Sequence, residues 1–265
     1  MSGVSGTGGA GGTNGTSGAG GTSGTNGGLG TSGVQGTTVL HLADPGEAAD
    51  LAAFLGRLLH YDRAAAVRIQ ASGTALAVFG RPPSFEVLAV RTARLAKPYE
   101  NGLDVSLDVT VSAGDLLESV DEPAATVGVP GTITGPPWTG VLPPRGGWQG
   151  EPGLPAPDAV RAMVAAAVGE FRTRTEELAP ERRTRAELDR IGREIWSRPV
   201  ADTGLPIRAA HAAQSLGFLR PARAGAPDES PLALFSSGAW LRLRTPYGSI
   251  AVRRAGLGAL DVSVR

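Results

Sequence analysis

ASGTALAVFGRPPSFEVLAVR (residues 71–91) and SSGAWLRLRTPYGSIAVR (residues 236–253) share one order of features. Each has Ser-Gly, an apolar-alternating stretch, a proline turn, and a stretch ending in Ala-Val-Arg. Alternation at period two reads as a strand, and proline between two such runs reads as the turn that joins them. A further apolar run precedes each: AAAVRIQ (64–70) and PLALFS (231–236). The order helix–strand–strand–strand thus occurs twice, roughly over 45–95 and 205–254. This predicts an α+β fold, read as two copies of a helix–three-strand module with two helices between them. Two alanine- and arginine-rich meanders that resemble each other by composition are the competing reading.

TTVLHL (37–42) reads as a short strand. Asp44-Pro45-Gly46-Glu47 then opens a helix, with an Asp cap, Pro at the first helical position and Glu three residues after the cap. Leu51, Phe54, Leu55, Leu58 and Leu59 follow at helical spacing, and the helix is expected to end near Tyr61-Asp62. Residues 102–112 alternate Leu103, Val105, Leu107, Val109 and Val111 with Asp104, Ser106, Asp108, Thr110 and Ser112, a strand with one buried and one wet face. Ser112 caps a short turn over Leu116–Val120. Pro157 begins a helix with Val160, Met163, Val164, Ala167, Val168 and Phe171 on one stripe. Thr184-Arg185-Ala186-Glu187 is a capping box for a second, closed by Pro199. A third is expected over about 205–217. The organisation predicted is a disordered Gly/Ser/Thr-rich leader (1–36), an N-terminal module (37–120), a Pro/Gly-rich loop (121–156) and a C-terminal module (157–265). Sixteen of the first 36 residues are glycine and none is charged, so little is available there to offset the entropy of ordering.

The loop holds GPPWTGVLPPRGGW (135–148), with two of the four tryptophans. Proline excludes it from a helix or a central strand. Trp and Arg are the types most enriched in binding hot spots, so Trp138, Arg145 and Trp148 are candidate partner-binding residues. The other reading is that the indoles fold back and pin the loop.

Net charge is zero, from 25 basic and 25 acidic residues. Only the last segment is basic, with eight basic and three acidic residues over 205–265. Three helices followed by a basic hairpin match the order of a winged helix, which makes Arg242, Arg244, Arg253 and Arg254 candidate nucleic-acid contacts. Against this, the helix over 205–217 has Arg208 as its one arginine. Lys97 is the single lysine beside 24 arginines, the usage of a GC-rich bacterial genome, so an arginine here is a weak signal of function.

Chemistry is sparse. There is no cysteine, hence no disulfide, thiolate nucleophile or thiolate metal site. His41, His60 and His211 have no metal-ligand spacing. No phosphate-cradling Gly-Lys-Ser/Thr loop and no Gly-x-Ser-x-Gly elbow occurs in the folded part. Asp104 and Asp108 lie about 13 Å apart along one strand, too far for a dyad. The expectation is a cytoplasmic, non-catalytic binding or scaffold protein acting through protein partners, with no cofactor, no metal and no membrane association. A nucleic-acid-associated factor is the alternative.

Overall fold

The structure, a computed structural model, describes residues 38–96, 106–221 and 232–254. The leader expected over 1–36 lies outside them, as does the start of the strand expected from 102. The described chain is α+β. Strand β1 (Val39–His41) leads into helix α1 (Pro45–Tyr61), where the Asp44 side chain accepts from Glu47 N at 3.0 Å. Strands β2 (Ala66–Ser72), β3 (Ala75–Gly80) and β4 (Leu88–Arg94) form the first meander, followed by β5 (Leu107–Ser112) and α2 (Ala113–Glu118). Helices α3 (Pro157–Glu176), α4 (Arg185–Trp196) and α5 (Ile207–Ser215) precede the second meander, β9 (Ala233–Ser237), β10 (Trp240–Thr245) and β11 (Gly248–Arg253). Gly217, at φ +77°, ends α5 in a left-handed turn, with Phe218 N donating to Ala213 O at 2.7 Å.

The segment 121–156 has more structure than its proline content suggests. Strands β6 (Val120–Asp121) and β7 (Thr126–Gly128) pair with each other, and β7 pairs with β1, in a small sheet. A 3-10 turn spans Pro137–Gly140, and β8 (Gln149–Glu151) joins β9. The main sheet is antiparallel, ordered β5-β2-β3-β4-β11-β10-β9-β8. The two meanders therefore meet edge to edge, Ala89 opposite Ile250 and Leu88 opposite Ala251, and share one sheet. The equivalence continues above it: α1 packs on β4, and α5 packs on β11.

The Ala-Val-Arg match that equates Arg91 with Arg253 is out of register. Val90 lies opposite Ser249, so Arg91 and Arg253 point to opposite faces of the sheet. Arg91 faces the helices and Arg253 is exposed. What repeats is the order of elements and the inward pairs Leu76/Val78 and Leu241/Leu243, which are buried. The winged-helix order is also corrected. The hairpin β10–β11 is bonded to β9 on one side and β4 on the other, so it is sheet interior and not a projecting wing.

The core lies between the sheet and the helices. Leu51, Phe54, Leu55 and Leu58 of α1 are buried there, and Phe54 stacks on Phe218 with ring centres 5.6 Å apart. On α4, Glu187 pairs with Arg190 and Asp189 with Arg185, at i,i+3 and i,i+4 spacing. Arg174 to Glu194 ties α3 to α4, Arg198 just beyond α4 pairs with Glu170 of α3, and the two arginines draw the Glu194 pKa down to about 2. Among the described residues no helix is long and apolar enough to cross a membrane.

Candidate functional site

A sheet with helices on one face leaves its other face to be covered. Alternation puts Arg68 and Gln70 of β2, Phe79 of β3, Val90 and Thr92 of β4, and Arg242 of β10 on that face. The proline-rich segment crosses above it as a strap. At one side, Ile133 N donates to Thr110 O of β5 at 2.9 Å, and Arg68 donates to the Thr139 carbonyl. At the other, Ser237 Oγ of β9 donates to Gly146 O at 3.3 Å. The strap touches the sheet so closely near Thr110 that a Cβ on Gly135 would lie 2.9 Å from the Thr110 methyl. Between strap and sheet is a cavity of about 640 Å³, roofed by Leu142, Pro143, Pro144 and Arg145.

The two tryptophans of the proline-rich segment have different positions. Trp148 is half-buried, its indole N–H donates to Pro144 O at 3.0 Å, and the Arg242 guanidinium lies 5.7 Å from the ring centre. It fastens the strap to itself beside Arg242. Trp138 is half-buried within the 3-10 turn. Arg145 is exposed, with 82% of its side chain in solvent, and reaches within 3.9 Å of Asp108. Of the three, Arg145 is the one fully presented outward.

Arg68 and Asp108 form a two-point ion pair, Nε to Oδ1 at 2.7 Å and the second arm to Oδ2 at 2.8 Å, and Gln70 donates to Oδ2 at 3.0 Å. The Arg68 hydrogen bonds hold the Asp108 carboxyl below the usual carboxylate range. Neither Arg68 nor Gln70 stands out in the sequence. The available signal is their i, i+2 placement on the polar face of an otherwise apolar strand, but nothing local reveals that Asp108, forty residues on, lies beside them.

The four hairpin arginines divide. Arg242 donates Nε to Ser249 Oγ at 2.9 Å, and burial, with Arg244 adding like charge, lowers its pKa below the ordinary arginine value. Arg244 sits over Phe235 and Arg253 over Trp240, both exposed. Arg254 is paired with Glu151 at 2.6 Å. The face offers Arg244 and Arg253 to solvent, and not a row of four.

His211 lies elsewhere, stacked on Trp196 at 4.8 Å and edge-on to Phe85 at 5.2 Å. Burial lowers its pKa from 6.5. The unfolded chain then binds the proton more tightly, so the contribution of neutral His211 is complete above pH 6.5 and is lost as the pH falls below it towards the folded value. In denaturant titrations, His211→Gln is expected to flatten the stability–pH curve on the acid side of 6.5, where the wild type declines. No group of three or more His, Asp or Glu that could hold a metal occurs among the described residues.

The fold is thus an antiparallel eight-stranded sheet, helices on one face and a strapped cavity on the other. Residues 36–140 match a family described as Domain of unknown function (DUF8010), and residues 143–257 match one described as Domain of unknown function (DUF8185). The two matches meet within the strap. No curated protein matches the chain.

Proposed function

We propose that this chain is a non-catalytic binding protein of the cytoplasm that acts through protein partners as a scaffold or regulator, with the outer side of the strap as its contact surface. One observation carries this reading. Four large hydrophobic residues are exposed among the described ones, and two of them, Ile133 and Val141, lie on the strap, which also carries exposed Arg145. Exposed apolar side chains and an exposed arginine on one segment suit a contact surface. The proline-rich backbone and the Trp148 fastening limit the entropy lost on docking.

The test is affinity capture of the tagged full chain from its own cells, with and without nuclease, beside an Ile133→Ser/Val141→Ser/Arg145→Ala variant. A nuclease-resistant protein partner is expected with wild type and reduced about tenfold or more with the variant, at an unchanged melting temperature. A variant that captures the partner as well as wild type removes the strap from the contact. Recovery that vanishes with nuclease replaces this reading by nucleic-acid association through Arg244 and Arg253.

A further inference from the structure

We infer that the cavity beneath the strap is a binding site for a small carboxylic acid with an apolar body, its carboxylate held by Arg242. The volume of about 640 Å³ falls in the range of small-molecule sites. Such sites are mostly apolar with a few placed polar groups, and here Phe79, Val90, Leu142 and Pro143 supply the apolar walls. Charge decides the class of ligand. Three arginines (Arg68, Arg145, Arg242) and one carboxylate (Asp108) line the cavity, a formal balance of 3 − 1 = +2 in a chain of net charge zero.

Arg68 and Asp108 satisfy each other, and Arg145 lies at the solvent rim. Arg242 is different. It is half-buried, and its contacts among the described residues are a hydroxyl, Ser249, and a ring, Trp148, with no carboxylate within 4 Å. A desolvated guanidinium without a counter-charge is costly, and an incoming anion removes that cost. The Ser249 bond occupies Nε and leaves the two terminal nitrogens as a fork, the geometry that takes both oxygens of a carboxylate. A single such fork between apolar walls suits one carboxylate better than a phosphate dianion, which needs more donors. The site uses the inner side of the strap, shares only the rim residue Arg145 with the partner contact proposed for the outer side, and does not depend on that contact.

Isothermal titration of the full chain tests this with octanoate and phenylacetate as probes, octanamide and phenylacetamide as neutral matches, and inorganic phosphate. The acids are expected to bind at least about tenfold tighter than their amides. Arg242→Gln is expected to lower acid binding about tenfold or more. Arg244→Gln, on the same face but over Phe235, is expected to leave it unchanged. The proposal is overturned if amides bind as well as acids, if Arg242→Gln binds like wild type, if phosphate displaces octanoate, or if neither acid saturates by about 10 mM. Should Arg242→Gln not fold, the comparison of acid with amide on the wild-type chain decides.

Discussion

Gly248→Ala is expected to lower the unfolding free energy by about 3 kcal/mol or more, from backbone strain and overpacking together. Gly248 begins β11 at φ +154°, a conformation that residues with a Cβ rarely adopt. A Cβ there would lie 2.7 Å from the Phe218 ring and 2.8 Å from the Val90 carbonyl oxygen. The ring belongs to the Phe54–Phe218 stack, and Val90 lies in β4, across the junction of the two meanders. Neither neighbour can retreat without opening the core or the β4–β11 pairing. Chemical denaturation measures the loss. Pairing the substitution with Phe218→Ala separates the causes, because the smaller side chain relieves the ring contact but not the backbone strain or the contact with Val90. A loss below about 1 kcal/mol would show that the turn before β11 rearranges freely.

Arg91→Ala is expected to cost a comparable amount, about 3 kcal/mol, the lower end for breaking a buried ion pair. The Arg91 side chain is 5% exposed, and it meets Glu47 at 2.7 Å and Asp50 at 3.6 Å, carboxylates that are 13% and 11% exposed. It also donates to Tyr247 O at 3.1 Å, so it joins α1 of the first module to the hairpin turn of the second. Removing it leaves both carboxylates desolvated with less compensation. The cost falls at the lower end because Arg94 still reaches Glu47, and Arg220 still reaches Asp50. The double variant Arg91→Met/Glu47→Gln is expected to recover part of the loss, since it removes a buried charge on each side and keeps much of the volume. Thermal melts of the two variants and wild type provide the measurement. If the double variant is no more stable than Arg91→Ala, neither the uncompensated carboxylate nor the lost stem packing accounts for the cost, and it lies in the hydrogen bond to Tyr247 O.

Capping and periodicity carried the elements. Asp44, Ser112 and Thr184 each cap the helix expected after them, with backbone amides three residues on as donors. Alternation in 75–80 and 240–245 correctly separates Leu76, Val78, Leu241 and Leu243 from the opposite face. These signals are legible because a cap or a period is decided within a few residues of itself. β8 was not legible: a three-residue strand with glycine at its centre and proline after it has no alternation to read, and it forms because β9 presents an unpaired edge. Nor was the strap, since proline tells what a segment cannot be and leaves open which surface it crosses.

The candidate site shows the same division. Trp138, Arg145 and Trp148 were visible as unusual residues in an unusual segment, but their separate roles follow from what lies beneath them. Arg68, Gln70 and Asp108 converge because β2 pairs with β5, and Arg242 reaches the same cavity because β10, four strands from β2, belongs to the same sheet. The amino-acid sequence by itself determined that this is an α+β chain with two helix–meander units, because helix caps, turn prolines and hydrophobic period act locally. Only the tertiary structure decided that the units share one sheet, that Arg91 and Arg253 face opposite sides, and that a charged cavity lies under the strap. The physical reason is register: a one-residue slip between β4 and β11 reverses every facing side chain, and it is set by burial across the whole sheet rather than by any local signal.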